Sequence, residues 1–322
     1  MTDAGTERKN KMSLDRLIEK IEQTQNPTVA GLDPKLAYVP GYIKEKCFEK
    51  YGETLKGAAK ALLEFNKGLI DALYDIVPAV KPQAAYYEMY GPAGVKTLYK
   101  TQEYARSKGM YVITDGKRND IGTTMEAYAA AHLGKVQVGS QTYEPFLGDA
   151  LTVNGYLGSD GIKPLIATCR ENDKGIFVLV KTSNPSSGEL QDRKIDGMTI
   201  YETMGHMCEK WGEELPGVYG YSGVGAVVGA TYPEQLRYLR DVLPTTFFLI
   251  PGYGAQGAGA KDIAGAFDKN GLGGIVNSSR GIMCAYQKEK CDEHDYAEAA
   301  RREAVRMRDD IMGAVGKITL NK

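Results

Sequence analysis

Eight short apolar runs, rich in β-branched residues, recur along this chain: Thr28–Asp33, Ala79–Gln83, Tyr111–Lys117, Leu151–Gly155, Ile176–Thr182, Gly225–Thr231, Thr246–Gly252 and Gly273–Ser279. Amphipathic stretches such as Ala58–Tyr74, Gly94–Lys108 and Thr123–Leu133 lie between them. Short strands alternating with helical stretches are the signature of successive β-α units and a parallel sheet. Eight such units predict an α/β fold of one domain, a (β/α)8 TIM barrel over residues 13–318. A doubly wound open sheet is the alternative, but it usually needs only about five or six strands. Residues 1–12 are polar, carry no apolar signal core and read as a disordered lead. The fold would start at Ser13, a residue type that caps helices.

A barrel of this kind collects its polar groups at the C-terminal ends of its strands. The runs end in Asp33, Lys81, Asp115 with Lys117, Asn154, Thr182 with Ser183, Thr231, Gly252, and Ser278 with Arg280. The third run is the most pointed of these. Side chains at i and i+2 of a strand share a face, so Asp115 and Lys117 aim an acid and an amine at one spot. Asp120 follows on the loop, and Lys81 ends the preceding strand. Two charges alone would suit a structural ion pair, but four gathered at strand ends point to chemistry.

Two later segments suit a phosphate. Pro251 to Gly259 is a glycine-rich turn able to offer several backbone N–H groups to an anion. Asn277-Ser278-Ser279-Arg280 adds hydroxyls and a guanidinium after the eighth run. Gly252, Gly254 and Gly257 also spell G-x-G-x-x-G, yet a dinucleotide site needs that motif early and an acid ending the next strand. The next strand here ends in Asn277, Ser278 and Ser279, so the reading is phosphate rather than NAD.

Composition removes several other functions. Forty basic against forty-one acidic residues leave a net charge of −1, which gives no general affinity for nucleic acid or an anionic membrane. No apolar run approaches the roughly 20 residues that span a bilayer. The five cysteines (47, 169, 208, 284 and 291) form no C-x-x-C pair and read as reduced thiols of a cytoplasmic protein. Cys284, Cys291 and His294 lack the fourth ligand that structural zinc requires, and His132 and His206 read as structural.

Taken in order, Gly31-Leu32-Asp33, Val80-Lys81-Pro82, Asp115-x-Lys117-x-x-Asp120, Thr182-Ser183-Asn184-Pro185, Pro251-Gly252-x-Gly254-x-Gln256-Gly257 and Ser279-Arg280-Gly281 resemble the orotidine 5'-phosphate decarboxylase family, in its longer bacterial branch. The resemblance runs from about Leu14 to Ile318. It implies decarboxylation of orotidine 5'-monophosphate to UMP, the last step of de novo pyrimidine nucleotide synthesis, with no metal and no cofactor. It gives Lys117 the tasks of stabilising and protonating a carbanion at C6, with Asp115 beside the departing carboxylate. Lys81 would hold Asp115 and a ribose hydroxyl. Asp33 would bind the ribose, Ser183 the pyrimidine, and Gln256 and Arg280 the phosphate. Asp120 and Thr124 would be lent by the neighbouring subunit of a homodimer. Pro185–Asp192 would be a mobile lid, and Asn154 only a supporting residue, since the proline expected after it is Gly155. Residues 191–223 have no assignable site and read as an extra helical elaboration.

Three rivals remain. A magnesium-dependent sugar-phosphate enzyme on a related barrel would need an acid where Lys81 stands. A Schiff-base aldolase would use Lys117 or Lys81 as nucleophile, against flanking carboxylates that raise an amine's pKa. A non-catalytic phosphate binder would have no use for the full Lys–Asp–Lys–Asp set.

Overall fold

The computed structural model describes residues 12–254 and 257–320, so all of the expected N-terminal lead except Met12 lies outside the described residues. Counting barrel strands only, these are β1 (Thr28–Leu32), β2 (Ala79–Pro82), β3 (Tyr111–Arg118), β4 (Ala150–Val153), β5 (Gly175–Lys181), β6 (Val224–Val228), β7 (Phe248–Ile250) and β8 (Gly274–Ser278). Each lies beside the next in sequence, and β8 pairs in parallel with β1 to close the barrel. The eight expected strands are therefore the eight observed, with ends that move by a few residues.

The apolar runs are buried on both faces, which is why they lack polar alternation. Inward residues such as Val29, Ile113, Phe177 and Leu249 form one cluster with Leu14, Leu17, Ile18 and Ile21 of the helix Ser13–Thr24. That helix lies across the N-terminal ends of the strands, where the Ser13 hydroxyl bonds the Tyr111 hydroxyl at 2.6 Å and the Asp149 carbonyl at 3.0 Å. The barrel is closed on that side, and polar side chains emerge at the other. Outward residues, Val80 and Val112 among them, pack under the helices Leu55–Leu73 and Tyr296–Val315.

Two features differ from the sequence expectation. Small antiparallel hairpins, Val136–Val138 with Gln141–Tyr143 and Lys194–Ile195 with Met198–Thr199, were not foreseen. The stretch 191–223 is also not an addition to the barrel. Its helix Ile200–Gly212 is the regular connection from β5 to β6, with Cys208 and Trp211 buried against the strands. Among the described residues no helix is long and apolar enough to cross a membrane.

Candidate active site

The site is built where β3 leaves the barrel. Tyr111 and Ile113 of β3 are packed inside, and the same inward row continues into Asp115 and Lys117. Lys117 has φ +48°, in the left-handed region that side chains other than glycine rarely adopt. Strain of this kind gathers at functional sites. Here it sets the Lys117 ammonium 2.6 Å from Asp115 Oδ1. Lys81 at the end of β2 donates to Asp115 Oδ2 at 2.8 Å and reaches Asp33 Oδ1, after β1, at 4.0 Å. Three consecutive strands thus deliver an Asp33–Lys81–Asp115–Lys117 line.

The electrostatics of this line follow from burial and pairing. Burial would raise the Asp115 pKa, but the ammonium groups of Lys81 and Lys117 outweigh it and hold the carboxyl well below the usual range. Burial would lower the Lys81 pKa, yet Asp115 and then Asp33 reverse this and raise it. Both groups are charged across the neutral range. Lys117 differs in standing at the rim, with its side chain 45% exposed, so it can meet a ligand.

A cavity of about 490 Å³ opens beside the line, lined by Asp33, Lys81, Asp115, Gly252, Asn277 and Arg280 among others. That is room enough for a nucleotide-sized ligand. Two buried acceptors bordering it, Asp33 Oδ1 and Asn277 Oδ1, have no hydrogen-bond partner. Buried acceptors without a partner call for a donor, and the hydroxyls of a bound ligand could supply one. Gly31 makes the arrangement possible, because a Cβ there would lie 1.9 Å from Ser279 Oγ and 2.8 Å from Asn277 Oδ1. On the far side Gly252, Gly254 and Gly257 all have positive φ and form a tight turn beside Arg280.

Residues 53–292 match the model of the Orotidine 5'-phosphate decarboxylase / HUMPS family. An orotidine 5'-phosphate decarboxylase of Rhodopirellula baltica is 43% identical over 297 residues, covering 91% of this chain and 96% of that protein. One from Caldicellulosiruptor bescii is 42% identical over 273 residues, covering 85% and 90%. The chain belongs to the orotidine 5'-phosphate decarboxylase family. The solved OMP decarboxylase of Leishmania donovani superposes with a TM-score of 0.69 at 29% identity, over 92% of this chain and 99% of that one.

Of the residues expected for a decarboxylase of this family, the cavity brings together Asp33, Lys81, Asp115 and Arg280, with Lys117 at its edge through Asp115. Ser183 follows β5 and is not part of that lining. Asp120 and Thr124 do not join the line. Among the described residues the Asp120 carboxylate accepts from the Ile121 N–H alone, at 2.8 Å, and Thr124 is exposed on the helix Gly122–His132. Gln256 lies outside the described residues. Asn154 is exposed and caps its own turn, accepting from the Tyr156 N–H at 3.0 Å. Cys284 is buried and His294 stacks on Tyr42, and no group of three or more metal-ligating side chains occurs among the described residues.

Thr152 on β4 was missed. Its hydroxyl donates to Asp115 Oδ1 at 2.7 Å and accepts from the Lys117 N–H at 3.0 Å, so it fixes the acid and the strained backbone together. The signal was present in the sequence, since Thr152 is two positions before Asn154 on a strand whose end had been marked as polar. Asn277, grouped by sequence with the phosphate side, lines the same cavity as Asp33, and its amide donates to Ser279 Oγ at 3.2 Å.

Proposed function

We propose that this chain decarboxylates orotidine 5'-monophosphate to UMP, without metal or organic cofactor, as the last step of de novo pyrimidine nucleotide synthesis. The observation that carries the reading is the Lys81–Asp115–Lys117 array, held at 2.6–2.8 Å at the mouth of the barrel beside a nucleotide-sized cavity. The phosphate would sit on the glycine turn and Arg280, assisted by Gln256, and the ribose between Asp33, Lys81 and Asn277. Ser183 would hold the pyrimidine. The C6 carboxylate then faces Asp115. The C6–carboxylate bond breaks, carbon dioxide leaves, and the electron pair stays on C6 until Lys117 delivers a proton there.

Each part has a physical task. Asp115 is held ionised by its two lysines, so it repels the substrate carboxylate. Two like charges about 4 Å apart repel by about 4 kcal/mol at an effective dielectric near 20. That is short of the roughly 8–23 kcal/mol enzymes supply. Lys117 must therefore stabilise the carbanion as it forms, and binding of the remote phosphate must supply the rest. A divalent cation is disfavoured here, because the Lys81 ammonium occupies the flank of Asp115 that a cation would need.

The working unit in this reading is a homodimer in which Asp120 and Thr124 complete the partner's site. Asp120 makes no bond to its own array, and the connections after the neighbouring strands β2, β3 and β4 each expose apolar side chains: Met89, Ile121, and Tyr156 with Leu157. Apolar side chains exposed together on neighbouring loops mark an association surface. Five free cysteines accord with a reducing compartment, the cytoplasm. The test is the fall in orotidylate absorbance on adding EDTA-treated protein. Turnover undiminished by EDTA is expected; no turnover, or turnover only with Mg²⁺, would sink the reading.

A further inference from the structure

Lys181 closes β5 and is fully buried, yet it belongs to no part of the array. Its ammonium donates to Asp192 Oδ1 at 2.7 Å and to Ser187 Oγ at 3.3 Å. The rings of Tyr232 and Tyr201 lie 4.7 and 5.5 Å from it. A lysine is almost never fully buried unless paired, and an apolar residue there would do for packing alone. The backbone has been altered to place it. Leu179 faces Val227, but Lys181 faces Val228, so β5 carries one extra residue at Val180. Such a bulge re-aims the side chain that follows it. Lys181 leaves the inward row of Phe177 and Leu179 and enters the space between the two tyrosines.

The partners of Lys181 define what it holds. Asp192 ends the segment Pro185–Asp192 and Ser187 is its buried centre, within a short 3-10 turn over Pro185–Glu189. A second tie lies beside the first: the Gln191 amide accepts from the Thr182 N–H at 2.9 Å and donates to the Thr182 hydroxyl at 2.7 Å. Ser183 is enclosed between these ties and Gly229, where a Cβ would come within 2.9 Å of the serine Cβ. We infer that Lys181 is a positioning residue for the reaction, fixing the loop from Ser183 to Asp192 through its buried bonds to Ser187 and Asp192, so that Ser183 is set for the pyrimidine before substrate arrives.

This rests on the orotidylate reading and deepens it, with a loop held in place where the resemblance implied a mobile lid. A loop ordered in advance spares the ligand the cost of ordering it. Loss of the anchor should therefore weaken the contacts of the base and leave those of the phosphate. The variants are Lys181→Met and Asp192→Asn; the second is at a side chain 42% exposed and tests the same bond where Lys181→Met fails to fold. Orotidylate KM and the UMP inhibition constant are expected to rise together by about tenfold or more, with kcat within a few-fold of wild type. Inhibition by inorganic phosphate is expected to be unchanged. The double variant should be no worse than the weaker single one, because both remove one link. A merely structural lysine would lower Tm and the active fraction while leaving KM and the UMP-to-phosphate ratio alone. That outcome, or parallel loss of UMP and phosphate binding, overturns the proposal. Absence of turnover in the wild type would instead count against the orotidylate reading, and the UMP and phosphate arms can be read without turnover.

Discussion

Asp115 is where stability and chemistry meet at the scale of single residues. Its carboxylate neutralises Lys81, which is only 4% exposed, so Asp115→Ala would leave a buried ammonium with Asp33 alone at 4.0 Å. Breaking one side of a buried pair costs about 3 kcal/mol or more. The sign of the pH dependence follows from the shifts. The Asp115 pKa is lowered in the folded state, so its contribution is present above the ordinary carboxyl value near 3.8 and fades as pH falls below it. The Lys81 pKa is raised, so its contribution is present below the ordinary lysine value near 10.5 and fades only above that. Urea unfolding of wild type and Asp115→Ala, at one protein concentration, should show a constant gap from about pH 5 to 9 and a shrinking gap below about pH 4. Equal stabilities at pH 7, or a gap that persists unchanged into acid, would refute this. The charged residues of the array were legible in the sequence because strand periodicity places Asp115 and Lys117 on one face. The positive φ of Lys117 was not, since it depends on how β3 meets β4; the inward place of Thr152 could be read from its spacing to Asn154, but not its two bonds to Asp115 and Lys117.

At the scale of elements, the mouth depends on β1 and β8 approaching closely at their ends. Gly31→Ala would drive a methyl group into Asn277 and Ser279, where β8 ends. Overpacking of this kind costs about 1–3 kcal/mol, and the easiest relief is to move the end of β8. The expected result is a rise of about tenfold in orotidylate KM with a smaller change in kcat, measured by steady-state kinetics. An unchanged KM would mean that β8 is not what holds the nucleotide. All eight strands could be found in the sequence because each is an apolar run between polar turns. The two hairpins could not, because strands of two or three residues, all exposed but Thr199, carry no burial pattern. Residues 191–223 were misread for a related reason. The small hairpin interrupts the usual step from strand to helix, so a regular barrel helix looked like an insertion. The bulge at Val180 was equally invisible, since it is defined by the register of β6.

At the scale of the whole molecule, the proposed homodimer would use two chains for one reaction. Asp120 and Thr124 do not line the cavity of their own chain, so in the proposed dimer each site would take Lys117 from one subunit and Asp120 from the other. Lys117→Ala and Asp120→Asn would each give inactive dimers. Unfolded together and refolded as a mixture, half of the dimers would be mixed, and each mixed dimer would hold one intact site. About a quarter of wild-type activity should return. No recovery, with mixed dimers demonstrated by mass, would place Asp120 in its own chain's site or outside the chemistry. The dimer was expected from resemblance alone, since one sequence does not reveal which exposed residues face a copy of itself.

The central claim is that Lys117 stabilises and protonates the C6 carbanion. Turnover of saturating orotidylate by EDTA-treated Lys117→Ala, set beside its affinity for UMP, tests it most directly. The account predicts a kcat lowered by about 10³-fold or more with UMP binding within several-fold of wild type. A variant that keeps kcat within tenfold, or that loses UMP binding in proportion to rate, would contradict it.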